Sequence, residues 1–76
     1  MFEQYDVVRI NRILKMPKEG VWKDVSCTVP KVGDVATIIE IYTDPIVGYE
    51  LECSGSDGTT NWIATFNPKD IELVKV

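Results

Sequence analysis

Few side chains in this sequence are able to do acid–base, nucleophilic or metal chemistry. Histidine is absent. That removes Ser-His and Cys-His nucleophile pairs, whose hydroxyl or thiol depends on an adjacent imidazole base. The two cysteines, Cys27 and Cys53, do not form a C-x-x-C pair. A structural zinc ion takes four Cys or His ligands, so these two residues cannot build a zinc site within one chain. Glu50 and Glu52 are a carboxylate pair, but their spacing puts both on the solvent face of one strand. The stretch "SGSDGT" contains no lysine and precedes no helix, which excludes a phosphate-binding loop. These residue types predict no catalytic group, no cofactor and no metal, and the chain is not read as an enzyme.

Aromatic residues are the better candidates. Trp62 falls on an alternating strand face and is expected in the core. Trp22 lies in an irregular stretch and has two possible roles, a plug in the fold or a half-exposed anchor for a partner. Tyr42 and Tyr49 flank the turn at Asp44-Pro45. Trp22, Tyr42 and Tyr49 are therefore candidate partner-binding residues.

The elements that must position them read as strands. "YDVVRIN", residues 5–11, is a β-branched first strand. "VATIIEIYT", residues 35–43, follows Gly33-Asp34 and ends at Asp44-Pro45. Its apolar residues do not alternate cleanly, as expected of a bent strand with a bulge. "YELEC", residues 49–53, alternates strictly, with Tyr49, Leu51 and Cys53 inward. "SGSDGT" is the strongest hairpin turn, with Asp57-Gly58 supplying positive φ angles. "NWIATF", residues 61–66, is the return strand. "NPKD", residues 67–70, predicts one short 3₁₀ turn begun by Pro68, and "IELVKV" is the last strand. Between residues 12 and 32 no period holds, and Pro17, Gly20 and Pro30 interrupt the chain. That stretch is too long and too apolar for a bare connector, so it is expected to fold back on the rest.

Bulk properties fit one small β domain spanning residues 1–76. Seventy-six residues leave no room for a second domain. The 45% hydrophobic and 26% charged content is that of a folded globule and not a disordered chain. No apolar run approaches the roughly 20 residues of a membrane span. The N-terminal stretch has no basic leader or small-residue cleavage site, which predicts a cytoplasmic protein with free thiols. Net charge is −4, and the eight Lys and Arg residues are scattered. Phosphate backbones require clustered basic residues, so nucleic acid is disfavoured. An acidic surface fits a basic protein partner better, and acidity is also the common state of soluble bacterial proteins, which is the favoured reading of the charge.

Five short strands, a long first connection and a turn before the last strand predict an all-β, SH3-like barrel. "VGDVATIIEIY" resembles the Gly-Asp-x-Gly-x-Val-Val strand of KOW-type barrels, with Ala36 where a second glycine often stands. "YDVVRI…VGDVATIIEIYTDP…GYELEC…DG…IE" is similar to a family of short stand-alone bacterial proteins of unknown function. The resemblance covers most of the chain outside residues 12–32. By the SH3 resemblance, Trp22, Glu19 and Asp24 of the first loop stand where peptide-binding members carry their ligand groove. The Ala-Leu-Tyr-Asp-Tyr signature of those members is missing. The functional expectation is a protein-binding module, including an immunity-type inhibitor of a basic protein. A KOW-like nucleic-acid-binding barrel and an accessory subunit of an enzyme are the alternatives.

Overall fold

Wherever apolar and polar residues alternate with β-branched neighbours, the chain is extended. The computed structural model describes residues 2–17, 20–22, 29–44 and 47–76, with residues 20–22 described through their backbone. The strands are β1 (Val7–Ile13), β2 (Gly20–Trp22), β3 (Val35–Tyr42), β4 (Gly48–Ser54), β5 (Thr60–Phe66) and β6 (Ile71–Lys75). Five of these are the expected strands. The sixth, β2, arises within the stretch expected to be irregular and pairs with β5, placing Trp22 opposite Trp62. All pairs are antiparallel, in one sheet of order β2-β5-β4-β3-β1-β6. No described residue is helical.

Two features differ from expectation. Among the described residues the sheet does not close into a barrel, because β2 and β6 stand at its ends and do not pair with each other. Closure needs an unbroken ladder around the axis, and β2 is only three residues long. The "NPKD" segment is a single turn, not a 3₁₀ helix. Asp70 N–H donates to Asn67 C=O at 2.8 Å, and the Asn67 side chain takes the Lys69 N–H at 2.9 Å. That side-chain bond satisfies the turn locally, and Ile71 then joins β6 opposite Ile13.

One face of the sheet forms the core. Val8 and Ile10 of β1, Ala36 and Ile38 of β3, and Leu51 and Cys53 of β4 are buried, as are Trp62, Ala64 and Phe66 of β5 and Ile71 of β6. Within each strand they fall two apart, as the pleat requires. Burying a large apolar side chain contributes roughly 1.5–3 kcal/mol. Among the described residues no helix covers this face, so the sheet itself must coil around it. Trp62 on β5 shows the coiling, for its indole N–H reaches Asp34 Oδ2 at 3.0 Å across the width of β4. Asp34 also takes the Lys31 ammonium at 3.2 Å. Gly33, at φ 96°, makes the turn between them, a conformation that side chains resist.

Register shifts produce the bend. One lies between Ile10 and Arg12 in β1, and another between Ile38 and Glu40 in β3. Each adds an unpaired residue and increases local twist. The N-terminal turn clamps the β3 bulge. Tyr5 N–H donates to Ile38 C=O at 2.6 Å, and Gln4 Nε2 donates to Ile39 C=O at 3.0 Å. Tyr5 itself sits at φ 73°, where turns of this kind favour glycine. In the β4–β5 loop only Gly58 (φ 84°) has positive φ. Asp57 does not share it and instead accepts the Thr59 N–H at 3.1 Å, so the loop is not a two-residue hairpin turn.

Candidate functional site

The β3 bulge decides what the outer surface carries. Ile38 points inward, so an unbroken strand would turn Ile39 outward and Glu40 inward. The extra residue shifts this alternation by one. Ile41 consequently packs against the core, while Glu40 and Tyr42 face out. Glu40 then lies opposite Glu50 of β4, Tyr42 opposite Gly48, and Thr37 opposite Glu52. The result is an outer face bearing three carboxylates, with Glu40 and Glu50 beside one phenol and Glu52 further along β4.

Tyr42 organises this face. Its hydroxyl donates to the Glu50 carboxylate. That bond raises the phenol pKa above its ordinary value; loss of water contact and the negative charges of Glu50 and Glu40 add to the rise. The ring lies near Gly48, where an added Cβ would meet Tyr42 Cδ2 at 3.8 Å and Thr65 Cγ2 at 3.2 Å. Gly48 is thus buried on the outer side of the sheet by an aromatic neighbour. Thr60 Oγ1 donates to Glu52 Oε2 at 2.7 Å and orients the third carboxylate. Ion pairs between described residues are Lys31–Asp34 and Lys75–Asp6, and neither reaches this face.

Tyr49 belongs elsewhere. It points to the other side of the hairpin, packs against the core and meets Phe2 edge-to-face at 5.9 Å and 82°. With Val47, Asn67, Pro68 and Lys69 it lines an open depression of about 520 Å³ at the end of the sheet. Tyr42 and Tyr49 flank one turn in sequence, yet the pleat puts them on opposite faces. Trp22 has its backbone in β2; its side chain, with Glu19, Asp24 and Cys27, lies outside the described residues.

No family model, no curated protein and no solved structure matches this chain. Geometry alone therefore speaks for its chemistry. Among the described residues no three His, Cys, Asp or Glu side chains converge on a metal position, and no helix is long and apolar enough to cross a membrane. Cys53 is a free thiol in the core. Burial raises its pKa first, and the Asp34 carboxylate adds to this; Lys31 and a hydrogen bond with Asn61 oppose it. A neutral, enclosed thiol is a poor nucleophile.

Glu40 is the residue that strand alternation missed. Its outward position depends on the bulge, and the bulge depends on Gln4 and Tyr5, more than thirty residues away. The available signal was the broken alternation of "VATIIEIY", which shows that a bulge exists without locating it.

Proposed function

We propose that this chain is a small SH3-like β module that binds a basic protein through the Glu40–Tyr42–Glu50–Glu52 face. The SH3-like reading is supported by the β3–β4–β5 meander, the last strand returning beside β1, and the single turn before it. The observation that carries the binding reading is the direct pairing of Glu40 with Glu50. Like charges directly opposite on an exposed sheet are destabilising. A fold that keeps such a pair gives up local stability, as functional surfaces commonly do. A Lys or Arg side chain laid across the two strands would neutralise both carboxylates and leave Tyr42 as an aromatic flank. An inhibitor that covers a basic protein is the form of this reading that the net charge of −4 supports. The free thiol of Cys53 fits a reducing, cytoplasmic setting.

The test is calorimetric titration with a Lys- and Arg-rich peptide. Glu40→Lys is compared with Glu3→Lys, which makes the same charge change at an exposed residue outside the strands. Glu40→Lys should weaken binding at least about tenfold, while Glu3→Lys should stay within about twofold. Equal losses would reduce the effect to net charge and overturn the site. Retention of the unmodified chain on a DNA column at physiological salt would instead favour the KOW-like nucleic-acid reading.

A further inference from the structure

The opposite end of the sheet has a different surface. β6 pairs with β1 on one side, and among the described residues its other side has no strand. Two hydrogen bonds fix which of its backbone groups are engaged. Val76 N–H donates to Val7 C=O at 3.0 Å, and Leu14 N–H donates to Asp70 C=O at 2.8 Å. Antiparallel ladders alternate, so residues 70, 72, 74 and 76 direct their backbone groups toward β1. Ile71, Leu73 and Lys75 therefore direct theirs to the open edge. The register shift in this pair falls in β1, after Ile10, so β6 is itself unbulged.

Beside this edge the outer face is apolar. Val35, Arg9 and Val74 form one row across β3, β1 and β6, and Val7 lies in the next row with Thr37. Val7, Val35, Val74 and Val76 are all exposed, Val76 at 72%. Natural edges are normally blunted by charge, proline or a bulge, and a regular edge beside exposed valines invites a further strand.

We infer that the occupant is a second copy of this chain, with β6 pairing antiparallel to β6 of the other copy about a two-fold axis through Leu73. In that register Leu73 meets its own equivalent and Ile71 meets Lys75. Each of these pairs exchanges two N–H···O bonds, so every edge-directed group of the strand is used. An axis perpendicular to the sheet keeps the outer faces of both copies on one side. Glu72 of each copy then lies opposite Val74 of the other, and Arg9 is the next residue in that row. Arg9 and Glu72 of different copies stand two strands, about 10 Å, apart, a span these two long side chains bridge over the valine. Glu72 Oε1 accepts the Asn11 side-chain amide at 2.5 Å, with Arg12 of the same copy opposite in register, which leaves Oε2 for Arg9. No ion pair between described residues engages Arg9 or Glu72. A register centred on Glu72 would oppose two carboxylates, and one centred on Lys75 would oppose two ammonium groups. A register centred on Val74 opposes no like charges but leaves the Ile71 groups without a partner in the strand, so charge and full use of the edge together select the register centred on Leu73.

Sedimentation of the full chain up to about 1 mM tests this. A monomer–dimer equilibrium is expected, with the Leu73 and Lys75 amides gaining hydrogen-exchange protection as concentration rises. Arg9→Glu and Glu72→Arg, both at exposed positions, should each weaken the dimer about tenfold. Together they should restore it to within about threefold. A monomer at all concentrations, with those amides unprotected, overturns the inference. So does a dimer that the single reversals leave intact, or a double reversal that fails to restore it. None of these outcomes bears on the acidic face, so the two readings fail separately.

Discussion

The outer surface of this one sheet has two unlike regions. Over β3 and β4 it is acidic, with Glu40 and Glu50 beside Tyr42 and Glu52 next along β4. Over β1 and β6 it is apolar, with exposed valines around Arg9 and an open strand edge. Carboxylates remain hydrated until a partner arrives, so the first region is stable in water at only a modest cost in like-charge repulsion. The second gains nothing from water, and among the described residues its backbone edge carries no strand. A charged patch can therefore be reserved for an occasional partner, whereas an apolar edge favours a standing one. The same coiled core supports both.

The most severe way to break this contrast is to remove the support. Trp62→Ala empties the largest buried side chain among the described residues and strands Asp34 without its indole donor. It should cost roughly 3–5 kcal/mol, enough to unfold a large share of so small a domain. Urea denaturation checks it; a midpoint within error of the unmodified chain would show that the two faces do not share one core.

A smaller effect sharpens the contrast. Glu40→Lys replaces a like-charge pair by an opposite one and should raise stability by about 0.2–1 kcal/mol while weakening binding. A gain in stability together with a loss of binding is what a charged patch kept for function requires. A loss of both would mean that Glu40 is structural.

The smallest effect lies at alkaline pH. The folded-state pKa of Tyr42 stands above that of the unfolded chain. Above the ordinary tyrosine pKa of 10.0, the unfolded state therefore releases its proton more readily than the folded one. Stability should be fully present below that pH and decline as pH rises through the raised folded value. Tyr42→Phe should flatten this part of the pH profile, as followed by thermal melting between about pH 9 and 11. An unchanged profile would mean that the Glu50 carboxylate does not hold the phenol proton.

Much of the fold was legible because it rests on local pattern. "YELEC" and "NWIATF" alternate, and their inward residues Leu51, Cys53, Trp62, Ala64 and Phe66 are the ones buried. What was not legible depends on pairing between distant segments. β2 is three residues, "GVW", with too few positions to show a period. Asp57 did not take positive φ because its carboxylate had the Thr59 N–H to bind, a choice made by the loop as a whole. The opposition of Glu40 to Glu50 required both the bulge and the β3–β4 register. Tyr42 and Tyr49 were joined by a turn in sequence and separated by the pleat.

Cys53 gives the molecule an internal clock. Its thiol lies in the core, in register with Trp62 of β5, neutral and largely buried. Only 7% of the residue is exposed, and a thiol reagent gains full access to the sulfur when the core around it opens. The labelling rate at low reagent concentration thus reports the free energy of that opening, and at saturating reagent it reports the opening rate itself. With Cys27 replaced by serine, one thiol times the breathing of the sheet that supports both outer faces. A basic peptide bound across β3 and β4 would slow that clock in proportion to its hold on the closed form.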